Sequence, residues 1–140
     1  MNYSFSHQLQ LRIRYSETDQ MGCCYYGNYP AFLELGRVES LRSLGISYRD
    51  LEHQGILLPV LNLSIEYKRP LYYDDIFTVE TSLMSIEGSK VFFSYSLFND
   101  QGDLTTLAST TLVFTNSGSF RPTRAPESLL LAIKAYEIKE

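Results

Sequence analysis

At 140 residues the chain fits one ordinary domain, here taken as residues 1–140, and leaves no room for two. With 44% hydrophobic residues, 11 Tyr and 8 Phe, it can build a core without disulfide or metal staples, and a charged fraction of 20% is too low for a disordered segment. The net charge of −4 argues against a nucleic-acid binder, because phosphate backbones demand a basic face; a small anionic ligand needs only a local cluster of Lys and Arg.

In chain order, Met1 is followed by Asn2-Tyr3-Ser4-Phe5-Ser6-His7, with neither the basic start nor the apolar stretch of a signal peptide. No apolar run approaches the roughly 20 residues that span a bilayer, so a cytoplasmic location without membrane insertion is expected. Leu9, Leu11, Ile13 and Tyr15 alternate with Gln8, Gln10, Arg12 and Arg14, the period of a half-buried strand. Cys23 and Cys24, the only cysteines, are adjacent; with no His or further Cys nearby they form no metal site and read as small apolar residues of a reducing compartment.

Residues 28–45 carry Phe32, Leu33, Leu35, Val38, Leu41 and Leu44 at helical spacing, with Glu34, Arg37, Glu39 and Arg42 between them. Asn28 fits an N-cap, Pro30 the first turn and Gly45 the stop. Such a helix is roughly 24 Å long. Gly36 in its middle costs about 1 kcal/mol relative to Ala, which points to close backbone approach to a sheet. Ser47 with Asp50 resembles a capping box for a short second helix ending at Gly55.

Four strands follow. Leu61, Leu63, Ile65 and Tyr67 alternate with polar residues; Phe77, Val79 and Leu83 mark the next; Val91, Phe93, Tyr95 and Leu97 the third; Ala108, Leu112 and Phe114 a last one over about 104–115. Glu87-Gly88-Ser89 and Asn99-Asp100-Gln101-Gly102 are short enough to make antiparallel hairpins. A final helix is expected over about 126–138. The chain is thus an α+β domain in which one long helix packs on a five-stranded antiparallel sheet. The Phe92/Phe98 side of that sheet and its edges invite cover by a second subunit.

The densest unusual stretch is Tyr15-Ser16-Glu17-Thr18-Asp19-Gln20-Met21-Gly22-Cys23-Cys24-Tyr25-Tyr26-Gly27-Asn28-Tyr29. Free N–H groups at a helix start can bind an oxyanion, and a carboxylate just upstream can serve as nucleophile or as general base. On residue chemistry alone an Asp before a helix is more often a turn or cap residue than a catalyst.

The frame Tyr15-x-Glu17-Thr18-Asp19-x-x-Gly22-x-x-Tyr25-Tyr26-x-Asn28-Tyr29, continued by Glu66-Tyr67-x-x-Pro70-x-x-Tyr73-Asp74-Asp75, resembles the 4-hydroxybenzoyl-CoA thioesterase family, including the acyl-CoA thioesterases associated with the Tol-Pal envelope system. The resemblance covers about residues 7–120. It implies a hotdog fold, a curved five-stranded antiparallel sheet wrapped around one long central helix. It implies a hydrolase acting on an acyl-CoA without a cofactor or metal, as a homodimer or homotetramer with the active site at the subunit interface.

It also makes Asp19 the catalytic carboxylate and gives Tyr26 the backbone N–H that polarises the thioester carbonyl, with Gly27 and Asn28 beside it; many relatives carry His where Tyr26 stands. Glu17 becomes a supporting residue. For the CoA phosphates Lys68, Arg69, Lys90, Arg121 and Arg124 are candidates, Lys90 and Arg121 preferred. Leu61, Leu63 and Met84 are candidates for an apolar acyl pocket. In a related subtype the acid lies on the long helix, which would select Glu34 or Glu39. His7 and His53, the only histidines, lie outside the motif, which disfavours a dehydratase; a non-catalytic acyl-CoA-binding module is the alternative.

Overall fold

The structure, a computed structural model, describes residues 1–139. Strand β1 (Asn2–Arg12) leads through a 3-10 turn at Tyr15–Glu17 and a second at Tyr26–Asn28 into helix α1 (Tyr29–Ser43). Then come α2 (Tyr48–His53), the two-residue strand β2 (Ile56–Leu57), β3 (Val60–Tyr67), β4 (Ile76–Glu87), β5 (Lys90–Asn99), β6 (Leu104–Val113), β7 (Thr115–Asn116) and α3 (Glu127–Ile133).

The main sheet is antiparallel in the order β1-β4-β5-β6-β3, and β2 pairs with β7 beside it. Together with α1 it forms the expected hotdog architecture. Tight hairpins join β4, β5 and β6, whereas β3 is the edge strand opposite β1, so the connection from β3 to β4 passes across the sheet.

The core is the face of the sheet that carries Phe77, Val79 and Leu83 on β4, Val91, Phe93, Tyr95 and Leu97 on β5, and Leu112 on β6. Helix α1 lies across β1 and β4 and inserts Phe32, Leu33 and Leu41. Its close approach rests on Gly36: a Cβ there would stand 2.5 Å from Thr81 Oγ1 and 2.7 Å from Val79 Cγ1. Ser47 caps α2 as expected, its hydroxyl accepting the Asp50 N–H at 3.1 Å.

Several expectations change. Strand β1 begins at Asn2 and stops at Arg12, because Tyr3 and Phe5 are buried under the C-terminal segment, where Tyr3 bridges to Glu137 and Phe5 meets the Tyr136 ring edge-on. The final helix ends at Ile133 and passes into a 3-10 turn at Lys134–Tyr136, since Ile138 N–H is drawn to Asn2 O. On α1, Leu35 faces solvent while Arg37, placed by its spacing on the polar side, is buried. Strand β3 is exposed at Val60, Leu61, Leu63 and Tyr67, because α1 covers the other half of the sheet. No helix among the described residues is long and apolar enough to cross a membrane.

Candidate active site

Residues 14–29 fold back on themselves. Glu17, buried, closes the first turn by accepting Arg14 N–H at 2.7 Å and the Arg14 guanidinium at 3.1 Å. Its carbonyl then receives Tyr25 N–H (2.8 Å) and the Asn28 side-chain amide (2.8 Å). Asn28 thus stands at the start of α1 without capping it; it ties the helix entrance to the Glu17 turn. Thr18 pairs with Cys24 across a tight reversal in which Asp19 N–H donates to Cys23 O (2.9 Å) and Gly22 N–H to Asp19 O (3.0 Å). Gly22 takes φ +78° there, a conformation that glycine adopts without steric cost.

Asp19 is a turn residue, since its Oδ1 accepts Met21 N–H at 2.9 Å. Its Oδ2 has no hydrogen-bond partner among the described residues, and Asp19 lines an open groove of about 340 Å³. The same groove is lined by Cys23, Tyr26, Tyr29, Tyr67, Lys68 and Arg69. At its floor Tyr67 Oη donates to Tyr26 O at 3.1 Å, and the Tyr67 ring meets the Tyr29 ring edge-on. Among the described residues the Tyr26 and Gly27 N–H groups have no acceptor, as expected for a first helical turn. A Cβ on Gly27 would lie 2.6 Å from the edge of the half-exposed Tyr25 ring, which would have to swing aside. Asp19 and Tyr26 line this groove, and Gly27 and Asn28 follow Tyr26 in the same 3-10 turn.

Lys90 and Arg121 are not in this groove. Lys90 pairs with Val113, seven residues along β6 from Thr106, the partner of Tyr67, or roughly 23 Å away. Arg121 sits at that same far end, its carbonyl accepting Asn116 N–H. Arg124 lines a separate cleft with Met1, Tyr3 and Leu131, and Met84 occupies a bulge of β4. The basic groups at the groove are Lys68 and Arg69, exposed and paired with Glu66 (3.3 Å) and Asp103 (3.1 Å). Glu39 pairs with Arg42, and Glu34 is exposed.

Tyr67 is the groove residue that sequence reasoning assigned only to a strand; its position in the Glu66-Tyr67-x-x-Pro70 segment was the available signal. In the lining of the groove, burial and then nearby Glu17 push the Cys24 thiol up to about 11. A thiol raised in this way contributes stability that is complete below its unfolded pKa, ordinarily near 8.5, and lost as pH rises through the folded value. Between those limits the urea midpoint of the native protein should fall more steeply than that of Cys24→Ala; parallel pH profiles would refute this.

Residues 13–133 match the family model described as the thioesterase-like superfamily. YneP of Bacillus subtilis (strain 168), a candidate acyl-CoA thioesterase, is 36% identical over 113 residues, 81% of this chain and 82% of that protein. The acyl-CoA thioester hydrolase YbgC of Escherichia coli O157:H7 is 27% identical over 124 residues, 89% of this chain and 92% of that one. Among solved structures, the DHNA-CoA thioesterase from Staphylococcus aureus superposes with a TM-score of 0.88 at 32% identity, covering 93% of this chain and 89% of that one. Matched by the family model over nearly its whole length, on a hotdog scaffold with its acidic turn against the helix start, the chain belongs to the thioesterase-like superfamily.

Proposed function

We propose that the protein hydrolyses an acyl-CoA thioester to CoA and the free acid, in the manner of the 4-hydroxybenzoyl-CoA thioesterases that its motif resembles. One observation supports this reading: Asp19, with a carboxylate oxygen that has no partner, and Tyr26, whose helix-start N–H has no acceptor, line one groove. The Tyr26 N–H, aided by that of Gly27, binds the thioester carbonyl oxygen and stabilises the negative charge that develops on it. Asp19 Oδ2 either attacks the carbonyl carbon to give a mixed anhydride, later cleaved by water, or removes a proton from the attacking water. In both routes the C–S bond breaks and the CoA thiolate leaves as the thiol. Incubation with a panel of acyl-CoAs should release free thiol; tight binding without release across the panel would assign a non-catalytic binding module instead.

The working unit is a homodimer joined at β3. That strand is an edge with exposed Val60, Leu61, Leu63 and Tyr67, an arrangement that soluble monomers avoid. Twofold antiparallel pairing of two β3 strands sets the Val60 end of one beside the Tyr67 end of the other. Lys90 and Arg121, distant from the groove of their own chain, then approach the partner's groove, where with Lys68 and Arg69 they can hold the CoA phosphates. Leu61→Lys should convert a dimer to a monomer by light scattering and remove most activity. Lys90→Ala with Arg121→Ala should raise KM several-fold at a nearly unchanged kcat. A Leu61→Lys protein that stays dimeric would rule out this interface.

A further inference from the structure

Tyr67 stands at the end of β3, yet its hydroxyl is bonded to the 3-10 turn that opens α1, 41 residues earlier in the chain. Oη donates to Tyr26 O at 3.1 Å, and the same carbonyl accepts Tyr29 N–H. The bond from Tyr29 closes the turn locally. The bond from Tyr67 ties that turn to the sheet. The end of β3 is itself anchored, because Lys68 and Arg69 N–H both donate to Thr105 O, at 2.8 and 3.0 Å. The Tyr67 ring meets buried Tyr29 edge-on at 4.9 Å and Tyr26 at 6.4 Å, which holds the hydroxyl at the carbonyl. Burial, then Tyr26 and Cys24, raise the Tyr67 phenol above its ordinary value, so it remains a neutral donor at physiological pH.

This bond adds little to stability. Tyr67 is 46% exposed, and water would serve its hydroxyl about as well. Its effect falls instead on the peptide that it touches. Tyr26 C=O and Gly27 N–H are the two ends of one planar amide, and a hydrogen bond received by the oxygen makes the N–H a stronger donor. The same bond restricts rotation of the Tyr26 backbone, whose own N–H has no acceptor among the described residues. Without it Tyr26 would be loosely held: it is 64% exposed and lies in a three-residue 3-10 turn, a form of helix with poor hydrogen-bond geometry. Donors that are fixed before charge develops on an oxygen stabilise that charge without reorganising.

We propose that Tyr67 is a positioning residue for thioester hydrolysis: its hydroxyl braces the Tyr26–Gly27 peptide, so that the N–H groups of the turn are set before the thioester carbonyl arrives. The inference rests on the hydrolase reading for the role of those amides. The proton stays on Tyr67 throughout, and the phenol neither attacks nor leaves.

Tyr67→Phe keeps the ring contacts and removes only the hydroxyl. In isotope-labelled protein without ligand, followed by amide NMR, the Gly27 amide proton should move upfield in this variant. The amide of Gly88, in the β4–β5 hairpin, should hold its resonance. Turnover is then measured with the acyl-CoA hydrolysed fastest in a panel of acetyl-CoA, decanoyl-CoA, palmitoyl-CoA and benzoyl-CoA. There kcat should fall about five- to tenfold, with KM and melting temperature nearly unchanged. Tyr67→Leu, which also removes the ring contacts to Tyr26 and Tyr29, should lower kcat further and the melting temperature with it. An unmoved Gly27 resonance or a native kcat in Tyr67→Phe would overturn the proposal. So would a raised KM at native kcat, which would make Tyr67 a substrate contact instead. A Gly27 shift in a protein that releases no thiol from the panel would leave the brace standing and remove the hydrolase reading.

Discussion

Asp19→Asn should leave a folded protein whose thiol release falls by about a thousandfold, within the range lost when a positioned acid–base group is removed. The fold should survive because the structural duty of Asp19 falls on one oxygen. Oδ1 accepts Met21 N–H, and the Oδ1 of asparagine can accept the same hydrogen bond. The backbone bonds to Cys23 and Gly22 do not involve the side chain. What asparagine lacks is the negative oxygen at Oδ2 that can attack or take a proton. Melting temperature and circular dichroism should match the native protein while kcat collapses; near-native turnover would exclude Asp19 as the acting group.

The same residue shows why a physical reading of the sequence left two roles open. An Asp just before a helix is usually a turn residue, and Asp19 does make that turn. Its second oxygen has no partner among the described residues, and the reversal from Thr18 to Cys24 leaves Asp19 in a groove that it shares with Tyr67, Lys68 and Arg69. The first half of the site, from Glu17 to Tyr29, is built from contacts within about a dozen residues and was therefore legible in local order. The second half arrives from the end of β3, some forty residues on.

The elements themselves were visible where burial is local. Alternation on β5 and helical spacing on α1 follow directly from which side faces the core. The start of β1 was not, because its inner residues are buried by the C-terminal segment, a contact between the two ends of the chain. Neither was the place of β3 at the far edge: periodicity marks a strand without naming its neighbours. Arg37 was assigned to the solvent side of α1 because a charged residue is normally exposed; two tyrosines remote in sequence draw it inward.

Gly36 gives the largest expected change in stability. Intrinsic helix propensity favours alanine over glycine by about 1 kcal/mol, so on an exposed helix Gly36→Ala would stabilise. Here the new methyl would meet Thr81 Oγ1 at 2.5 Å and Val79 Cγ1 at 2.7 Å. Both neighbours are fully buried and β-branched, with little freedom at χ1, so the helix itself must move off β4. Overpacking of this kind costs about 1–3 kcal/mol, which exceeds the propensity gain. Gly36→Ala should therefore lower the urea midpoint, and Gly36→Val, with two further carbons in the same space, should lower it further and reduce the yield of folded protein. Because α1 begins at the groove, the shift should also reach the Tyr26 and Gly27 amides, so a folded Gly36→Ala protein should lose kcat as well as stability. A stabilised Gly36→Ala would show that the helix can lift from the sheet without strain, and that close packing is not why glycine stands there.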